Sequence, residues 1–411
     1  MITIRLDRHW RHWQRTLLLL SGLIITLATA LHGCAPREAP PVVTPPVVEA
    51  PVDESYGAVE GPLQRVPWSR LKPALADGLK TTEQMRQWAT ALDRSAQYYG
   101  KIAPETTFRF GLTDIPARRM AAACRELAAV AKTGTSEQLW QLLTSKYQLY
   151  RSIGVDGKGN VLVTGYFEPL LNGSRTPSAR FRYPVYRSPR TRGLSPKLYD
   201  RNAIENKGKL AKKGLELAWV DDRIALFFLH IQGSGRIRME DGSILRVGYD
   251  GGNGHPYFSI GNILIQEKHL IPEEVTMPGI RRWLLDHPRE INRILISNQN
   301  YVFFRPVYDG PYGNINVMLT PWHSIATDYH LFPKGAPAVI ETRRPSFASD
   351  GSVTEWRPET RLVVNQDTGG AIRGAGRVDW FTGFGRESEL TAGVMKQNRS
   401  GLYFIVPIIN R

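Results

Sequence analysis

DTGGAIRGAGRVDWFTGFG, Asp367 to Gly385, packs six glycines and two aspartates, Asp367 and Asp379, into nineteen residues that otherwise read as β-structure. Glycine is costly inside regular elements, so this density marks turns with positive φ or a backbone that must approach something closely. The run Asp379-Trp380-Phe381 sets one carboxylate between large apolar groups, where burial raises a carboxyl pKa into the range of a general acid. A pair of tight hairpin turns, with Asp367 capping one of them, is an equally good local reading.

The sequence on either side has a related texture. NVLVTGYFEP, from Asn160, alternates like a strand and predicts a turn at Gly165-Tyr166-Phe167-Glu168-Pro169. The stretch from Ile224 to Phe258 reads as strands joined by Asp-Gly and Gly-Gly turns. Helices are expected around Gly279–Asp286 and Pro288–Ile296, and short strands between Gly and Pro turns fill the remainder from Asn298 onward. Upstream, Met85, Trp88, Ala89, Leu92, Ala96 and Tyr99 recur at spacings of three and four, with Gly100 as a stop. Pro116 opens a second helix through Val130, and Leu139, Leu142, Leu143, Tyr147 and Tyr150 predict a third that starts at Thr135-Ser136-Glu137. No repeat of 20 to 50 residues occurs. The expected fold is mainly β, one or two β-barrels with a helical flank.

At 411 residues the chain has room for two domains and a sizeable core, and 42% hydrophobic with 22% charged residues fits a globular body. Residues 1–34 stand apart. Arg5, Arg8, Arg11 and Arg15 form a positive region ahead of an uncharged apolar run from Leu17 to Leu31, and small residues lead to Gly33-Cys34. This reads as a secretory signal, with Cys34 as the lipid-bearing residue of a bacterial lipoprotein; an uncleaved N-terminal anchor is the alternative, and both export the body. The proline-rich segment over 35–56 cannot pack a core and reads as an extended tether of roughly 60 Å, at ~3.1 Å per residue. Cys124, in an Ala-rich helical run, is expected to be a small buried apolar residue. The net charge of +15 favours acidic partners. The densest basic run, Lys207 to Gly214, lacks interleaved aromatics and reads as a solvated loop, so no nucleic-acid partner is expected.

Three glycine-rich turns combine hydrogen-bonding side chains with aromatics: the one holding Tyr166 and Glu168, the one running from Gln232-Gly233-Ser234-Gly235 to Asn253-Gly254-His255, and the one around Asp379 and Trp380. Such a lining suits sugars, which stack on rings and hydrogen-bond through hydroxyls. Plainer roles compete: Glu168 capping a turn, His255 exposed, Gly233-Ser234-Gly235 a hairpin tip. Asp367-Thr368-Gly369 has the pattern of an aspartic peptidase loop, but that mechanism needs two such aspartates and no second Asp-Thr-Gly or Asp-Ser-Gly occurs. There is no Gly-x-Ser-x-Gly elbow, no His-Glu-x-x-His and no Walker loop. No cofactor and no metal are expected.

Four segments in order, Gly165–Pro169, Phe228–Gly235, Asn298–Phe304 and Asp367–Gly374, resemble the membrane-bound lytic murein transglycosylase A family from about Gly57 to the C-terminus. The C-terminal part resembles the domain called 3D for its aspartates. The resemblance implies a double-psi β-barrel, residues 57–165 plus 300–411, interrupted by a second, smaller β-barrel domain over 166–299, with a glycan strand in the groove between them. It also implies a carbon–oxygen lyase that cleaves the β-1,4 bond between N-acetylmuramic acid and N-acetylglucosamine without water, leaving a 1,6-anhydromuramoyl end.

On that reading Asp379 is the catalytic residue, with Trp380 and Phe381 keeping it protonated. Asp367 is expected to position the loop; Tyr166, Glu168, Gln232, Ser234, Asn253, His255 and Trp380 are the other candidates for substrate binding or loop positioning. Glu387 and Glu389 both compete for a third acidic position. The expected setting is the periplasmic side of the outer membrane, as a lipid-anchored monomer whose partners are peptidoglycan and complexes of cell-wall synthesis or division. A non-catalytic peptidoglycan-binding lipoprotein and a hydrolytic muramidase are the alternatives.

Overall fold

The computed structural model describes residues 61–71, 75 and 82–409; the expected leader, Cys34 and the proline-rich tether lie outside the described residues. The strands in chain order are β1 (Leu63–Val66), β2 (Thr107–Phe110), β3 (Thr113–Pro116), β4 (Tyr147–Ser152), β5 (Val161–Glu168), β6 (Leu170–Ser174), β7 (Tyr183–Tyr186) and β8 (Glu216–Val220). They continue with β9 (Gly235–Met239), β10 (Ile244–Gly252), β11 (Val302–Val307), β12 (Ser324–Ala326), β13 (Pro337–Phe347), β14 (Val353–Asp367), β15 (Arg377–Phe384) and β16 (Lys396–Pro407).

The first sheet runs β1-β4-β16-β13-β14-β12-β15-β5, and β16 also pairs with β5. Six strands therefore close into a barrel, with β4 and β1 extending from it. Strand β16 makes the closure by changing partners along its length: its residues from Lys396 pair with β5, and those from Gly401 pair with β13 and β4. The β12–β14 and β15–β5 pairs are parallel, so long crossovers must join the strands on either side. The connection from β5 to the rest of the barrel carries a whole second sheet, β11-β10-β9-β6-β8-β7, whose edge strands β7 and β11 approach each other. The fold is mainly β, two barrel-like sheets with helices against them.

The helical flank follows from its apolar stripes. Helix Thr82–Gly100 buries Met85, Trp88, Ala89, Leu92, Ala96 and Tyr99, the residues at spacings of three and four. Its buried face lies along β14: Trp88 Nε1 donates to Val363 O (3.3 Å), and Gln366 Nε2 donates back to Ala91 O (2.8 Å) and Ser95 Oγ (3.0 Å). Helix Ala117–Thr133 packs beside it and buries Cys124, whose thiol burial pushes up to about 12. Together with the barrel interior these residues form one core.

The structure differs from three of these expectations. The third helix ends at Lys146, and Tyr147–Ser152 is β4: Tyr147, Leu149 and Tyr150 face a core by pairing with β16 rather than by helical spacing. Most of the expected turn at Gly165–Pro169 is the second half of β5, and pairing with β15 continues to Glu168 across one register shift between Phe381 and Gly383; the break comes at Pro169, which has no N–H for a ladder. The segment Arg223–Gln232 is an α-helix rather than a strand. Asp222 caps it by accepting from Ile224 N (2.8 Å) and Ala225 N (3.0 Å), and Gly233 ends it at φ 77°. Its apolar run is continuous because it is buried on two sides: Leu226 and Leu229 join the core under the second sheet, while Ile224 and Phe227 join the helical core beyond it. A continuous apolar run carries no period to tell helix from strand. Two further helices, Ile260–Gln266 and Arg386–Val394, had no strong stripe.

Candidate active site

Side chains opposite each other on neighbouring strands point to the same face, and pairing in the first sheet lines up a lateral row. Asp367 on β14 lies opposite Ala326 on β12, Ala326 opposite Asp379 on β15, Asp379 opposite Thr164 on β5, and Thr164 opposite Lys396 on β16. Strands are ~4.8 Å apart, which sets the Asp367 and Asp379 backbones roughly 10 Å apart with a methyl group between them. Two residues along, Tyr166 and Phe381 lie opposite each other on the same face, ring centroids 5.2 Å apart, and form a small apolar cluster with Leu319 and Ala326.

Asp379 is half-buried, and its Oδ1 accepts from Thr164 Oγ1 at 2.8 Å. Burial raises its pKa to about 6; the Thr164 bond and the Arg377 charge oppose the rise, and the Asp367 charge adds to it. A carboxyl group in that state carries a proton in mildly acidic solution and releases it near neutrality, as a group that must act first as acid and then as base requires. Asp367 is held on all sides. Its Oδ1 accepts from Asn314 N (3.0 Å) and Thr368 N (2.9 Å), and its Oδ2 accepts from Tyr166 OH (3.0 Å). Burial pushes Asp367 upward, while these donors and the nearby Lys334 ammonium pull the other way.

The loop joining the two aspartates is tied down from outside. Gly374 N donates to Asp328 Oδ2 (2.8 Å) and Thr368 Oγ1 donates to Thr327 O (2.9 Å), while within the loop Arg373 Nη1 donates to Gly369 O (3.1 Å). Gly374 sits at φ 83°, where a side chain would strain the turn.

The other nominated residues fall into three places. Glu168 and Gln232 hold the seam between the two sheets. Glu168, 3% exposed, accepts from Arg236 Nε (3.1 Å) and Nη2 (2.8 Å), and the Arg236 guanidinium lies 3.7 Å from the centre of the Phe384 ring. Gln232 Oε1 accepts from Phe167 N at 2.8 Å, and Ser234 is buried where the helix passes into β9. Asn253 and His255 brace a loop of the second sheet. Fully buried Asn253 donates to Tyr199 O and Gln299 O, both at 2.9 Å, and accepts from Tyr301 N (2.9 Å). His255 Nε2 lies 3.1 Å from Lys197 O. Trp380 belongs to the barrel interior: it is fully buried with Val378 and Val163, and its Nε1 donates to Trp322 O at 3.0 Å. Alternation along β15 puts it on the face opposite Asp379, so Phe381 and Tyr166, and not Trp380, give Asp379 its apolar surroundings. The Gly233-Ser234-Gly235 turn is a helix cap and not a hairpin tip.

Thr164, Ala326 and Lys334 were not singled out from the sequence. Thr164 had a signal, two residues before Tyr166 in an alternating strand and so on the same face. Ala326 and Lys334 had none.

The glutamates at 387 and 389 lie on helix Arg386–Val394, and Glu387 pairs at 3.5 Å with Arg344, away from the row.

Family models match two stretches of this chain, the MltA specific insert domain over residues 162–305 and the 3D domain over 323–404. An Escherichia coli relative named membrane-bound lytic murein transglycosylase A is 36% identical over 243 residues, which is 58% of this chain and 64% of the relative. The chain thus aligns with just under two thirds of that relative's length. A solved membrane-bound lytic murein transglycosylase from Agrobacterium tumefaciens superposes with a TM-score of 0.67 at 30% identity, covering 84% of this chain and 97% of that one. The structure of E. coli MltA with bound chitohexaose gives a TM-score of 0.62 at 26% identity, covering 86% and 96%. These neighbours share the double-psi β-barrel with a second domain. With the insert inside the interrupted barrel and the aspartates of the 3D region on one face, the chain belongs to the membrane-bound lytic murein transglycosylase A (MltA) family.

Proposed function

We propose that the protein is a lytic transglycosylase that cleaves the β-1,4 bond between N-acetylmuramic acid and N-acetylglucosamine in peptidoglycan, with Asp379 as its single acid and base. The observation that carries this reading is the setting of Asp379: a half-buried carboxyl group raised to about 6, beside an Asp367 whose oxygens are already occupied by three donors. Chitohexaose, a β-1,4-linked glycan, occupies the related E. coli protein, which supports a sugar polymer as the ligand.

In the first step the protonated Asp379 gives its proton to the glycosidic oxygen as the bond from C1 to that oxygen breaks, and the N-acetylglucosamine side leaves as an alcohol. In the second the Asp379 carboxylate takes the proton of the sugar's own C6 hydroxyl as that oxygen bonds to C1. The product is a 1,6-anhydro ring, and Asp379 ends protonated, ready to act again. Because the nucleophile is part of the substrate, no second carboxylate has to activate water. Asp367 and Glu168, held by donors and by Arg236, suit supporting roles rather than that one. A hydrolytic muramidase would instead place a free carboxylate across the sugar from the acid.

The curated relatives are named membrane-bound, and no helix among the described residues is long and apolar enough to cross a membrane. A lipid on Cys34, with residues 35–56 as tether, accounts for both and puts the enzyme on the periplasmic side of the outer membrane. Replacing Cys34 with Ser and fractionating cells tests the anchor: release into the soluble fraction is expected, and retention in the membrane contradicts it. The activity is tested by digesting murein sacculi with the purified protein and reading the product ends by mass spectrometry.

A further inference from the structure

Lys334 is a buried cation outside the reaction just described. It is 8% exposed, and its Nζ has four acceptors around it: Thr327 O (3.0 Å), Asn365 Oδ1 (3.1 Å), Thr327 Oγ1 (3.3 Å) and the carbonyl oxygen of Asp367. An ammonium has three N–H donors, so every one is used. The acceptors are not arbitrary. Thr327 is the first residue after Ala326, and Asn365 and Asp367 close β14, so Lys334 joins the ends of the two strands that carry two members of the catalytic row.

The mount under Lys334 is rigid. Tyr99 OH, from helix Thr82–Gly100, donates to Lys334 O (2.7 Å), Asn365 Nδ2 donates to Pro333 O (2.9 Å), and Gly335 N donates to Asn365 O (2.6 Å). Gly335 has φ 80°, and a Cβ there would lie 2.9 Å from the Tyr98 ring and 3.0 Å from that of Tyr99. The helix, the Pro333–Gly335 segment and the β14 terminus are thus one fixed unit.

A buried ammonium with only neutral acceptors is expensive, and is kept where a nearby anion compensates it. Here the anions are Asp367 and Asp328, both of which favour the charged lysine. Asp328 in turn faces Arg373 and His330; Asp367 faces Tyr166; Asp379 faces Thr164 and Arg377.

We propose that Lys334 is a positioning residue for the transglycosylation step: its ammonium fixes the register of Asp367 against Ala326 and Asp379, and keeps Asp367 the anion of the pair so that the working proton resides on Asp379. This rests on the reading of Asp379 as acid and base. With Lys334 neutral or absent, Asp367 competes for the proton. Asp379 then loses the negative neighbour that raises its pKa, so it gives up its proton at lower pH. Burial lowers Lys334 to about 7, which is still above the value of about 6 for Asp379, so the lysine is charged across the range in which Asp379 holds its proton.

The test compares Lys334→Met and Lys334→Arg with the wild type on murein sacculi, measuring anhydro-ended product against pH, with thermal unfolding as the control for folding. The expected result for Lys334→Met is a fall in kcat of about 10- to 100-fold, of the size that small misplacements of a reacting group produce, KM within about 2-fold, and an alkaline limb moved to lower pH. Lys334→Arg, which keeps the charge, should hold the limb in place even if its size lowers stability. A Lys334→Met protein that is less stable but keeps the wild-type pH limb and kcat overturns the proposal, as does Lys334→Arg behaving like Lys334→Met. If Lys334→Met does not fold, the Lys334→Arg limb decides alone. A wild type that makes no anhydro product would overturn the activity itself, an outcome distinct from all of these.

Discussion

Asp379 and Asp367 stand two strands apart on one face of the barrel, and the only side chain between them in the row is the methyl group of Ala326. The gap is built into the sheet. Because β12 runs parallel to β14 and antiparallel to β15, the small residue is fixed opposite both aspartates at once.

Enlarging Ala326 therefore tests the row without touching either carboxylate. Ala326→Leu pushes three methyl-sized groups into a cluster already filled by Tyr166, Leu319 and Phe381. The expected outcome is a loss of about 1–3 kcal/mol of stability and a fall in kcat larger than that of an equally destabilising change in the helical flank. Denaturant unfolding and product formation, measured side by side on Ala326→Leu and on Leu92→Ala, check this.

The pH profile follows from Asp379. Its folded pKa is raised, so the acid form is present below about 6 and is lost above it. kcat/KM is expected to fall as pH rises through about 6. The Asp367 charge contributes to that rise, so Asp367→Asn should move the falling limb to lower pH. A limb that stays in place in Asp367→Asn would separate the two aspartates electrostatically.

The same shift has a stability consequence of opposite sign to most charged groups. An acid whose folded pKa is raised binds its proton more tightly when folded, so stability falls as pH rises from its unfolded value near 4 toward 6. Asp379→Asn removes the cost of holding that charge. The variant should melt roughly 2–4 °C above the wild type at pH 7 and level with it at pH 4, while its activity falls by about 10²–10⁴-fold. Melting curves at the two pH values check the sign.

Backbone proximity gives a prediction away from the carboxylates. A Cβ on Gly165 would lie 2.8 Å from Ala392 Cα, in helix Arg386–Val394. Gly165→Ala must move that helix off β5, and a loss of about 1–3 kcal/mol is expected. Denaturant unfolding reads it directly.

Much of this architecture was legible in the sequence, and the illegible parts share a cause. Stripes such as Met85 to Tyr99, and the helix start at Thr135, whose Oγ1 accepts from Gln138 N at 3.2 Å, were readable because they depend on neighbours in the chain. The Asp379 segment and the Tyr166 strand were readable as chemistry because aromatic, acidic and glycine residues crowd together. Cross-strand register was not readable: nothing in Ser324–Ala326 says that three residues will lie between β14 and β15. Lys334 looks like any loop lysine until Thr327, Asn365 and Asp367 surround it. The role expected of Trp380 failed for a simpler reason, because residues adjacent in a strand face opposite ways and its ring was bound to leave Asp379.

Product-end analysis of murein digested in water enriched in oxygen-18 tests the central claim most directly. The predicted result is release of fragments with 1,6-anhydro ends that carry no label from solvent, and no such release by Asp379→Asn. Labelled reducing ends from the wild type, or anhydro products from Asp379→Asn at the wild-type rate, would contradict it.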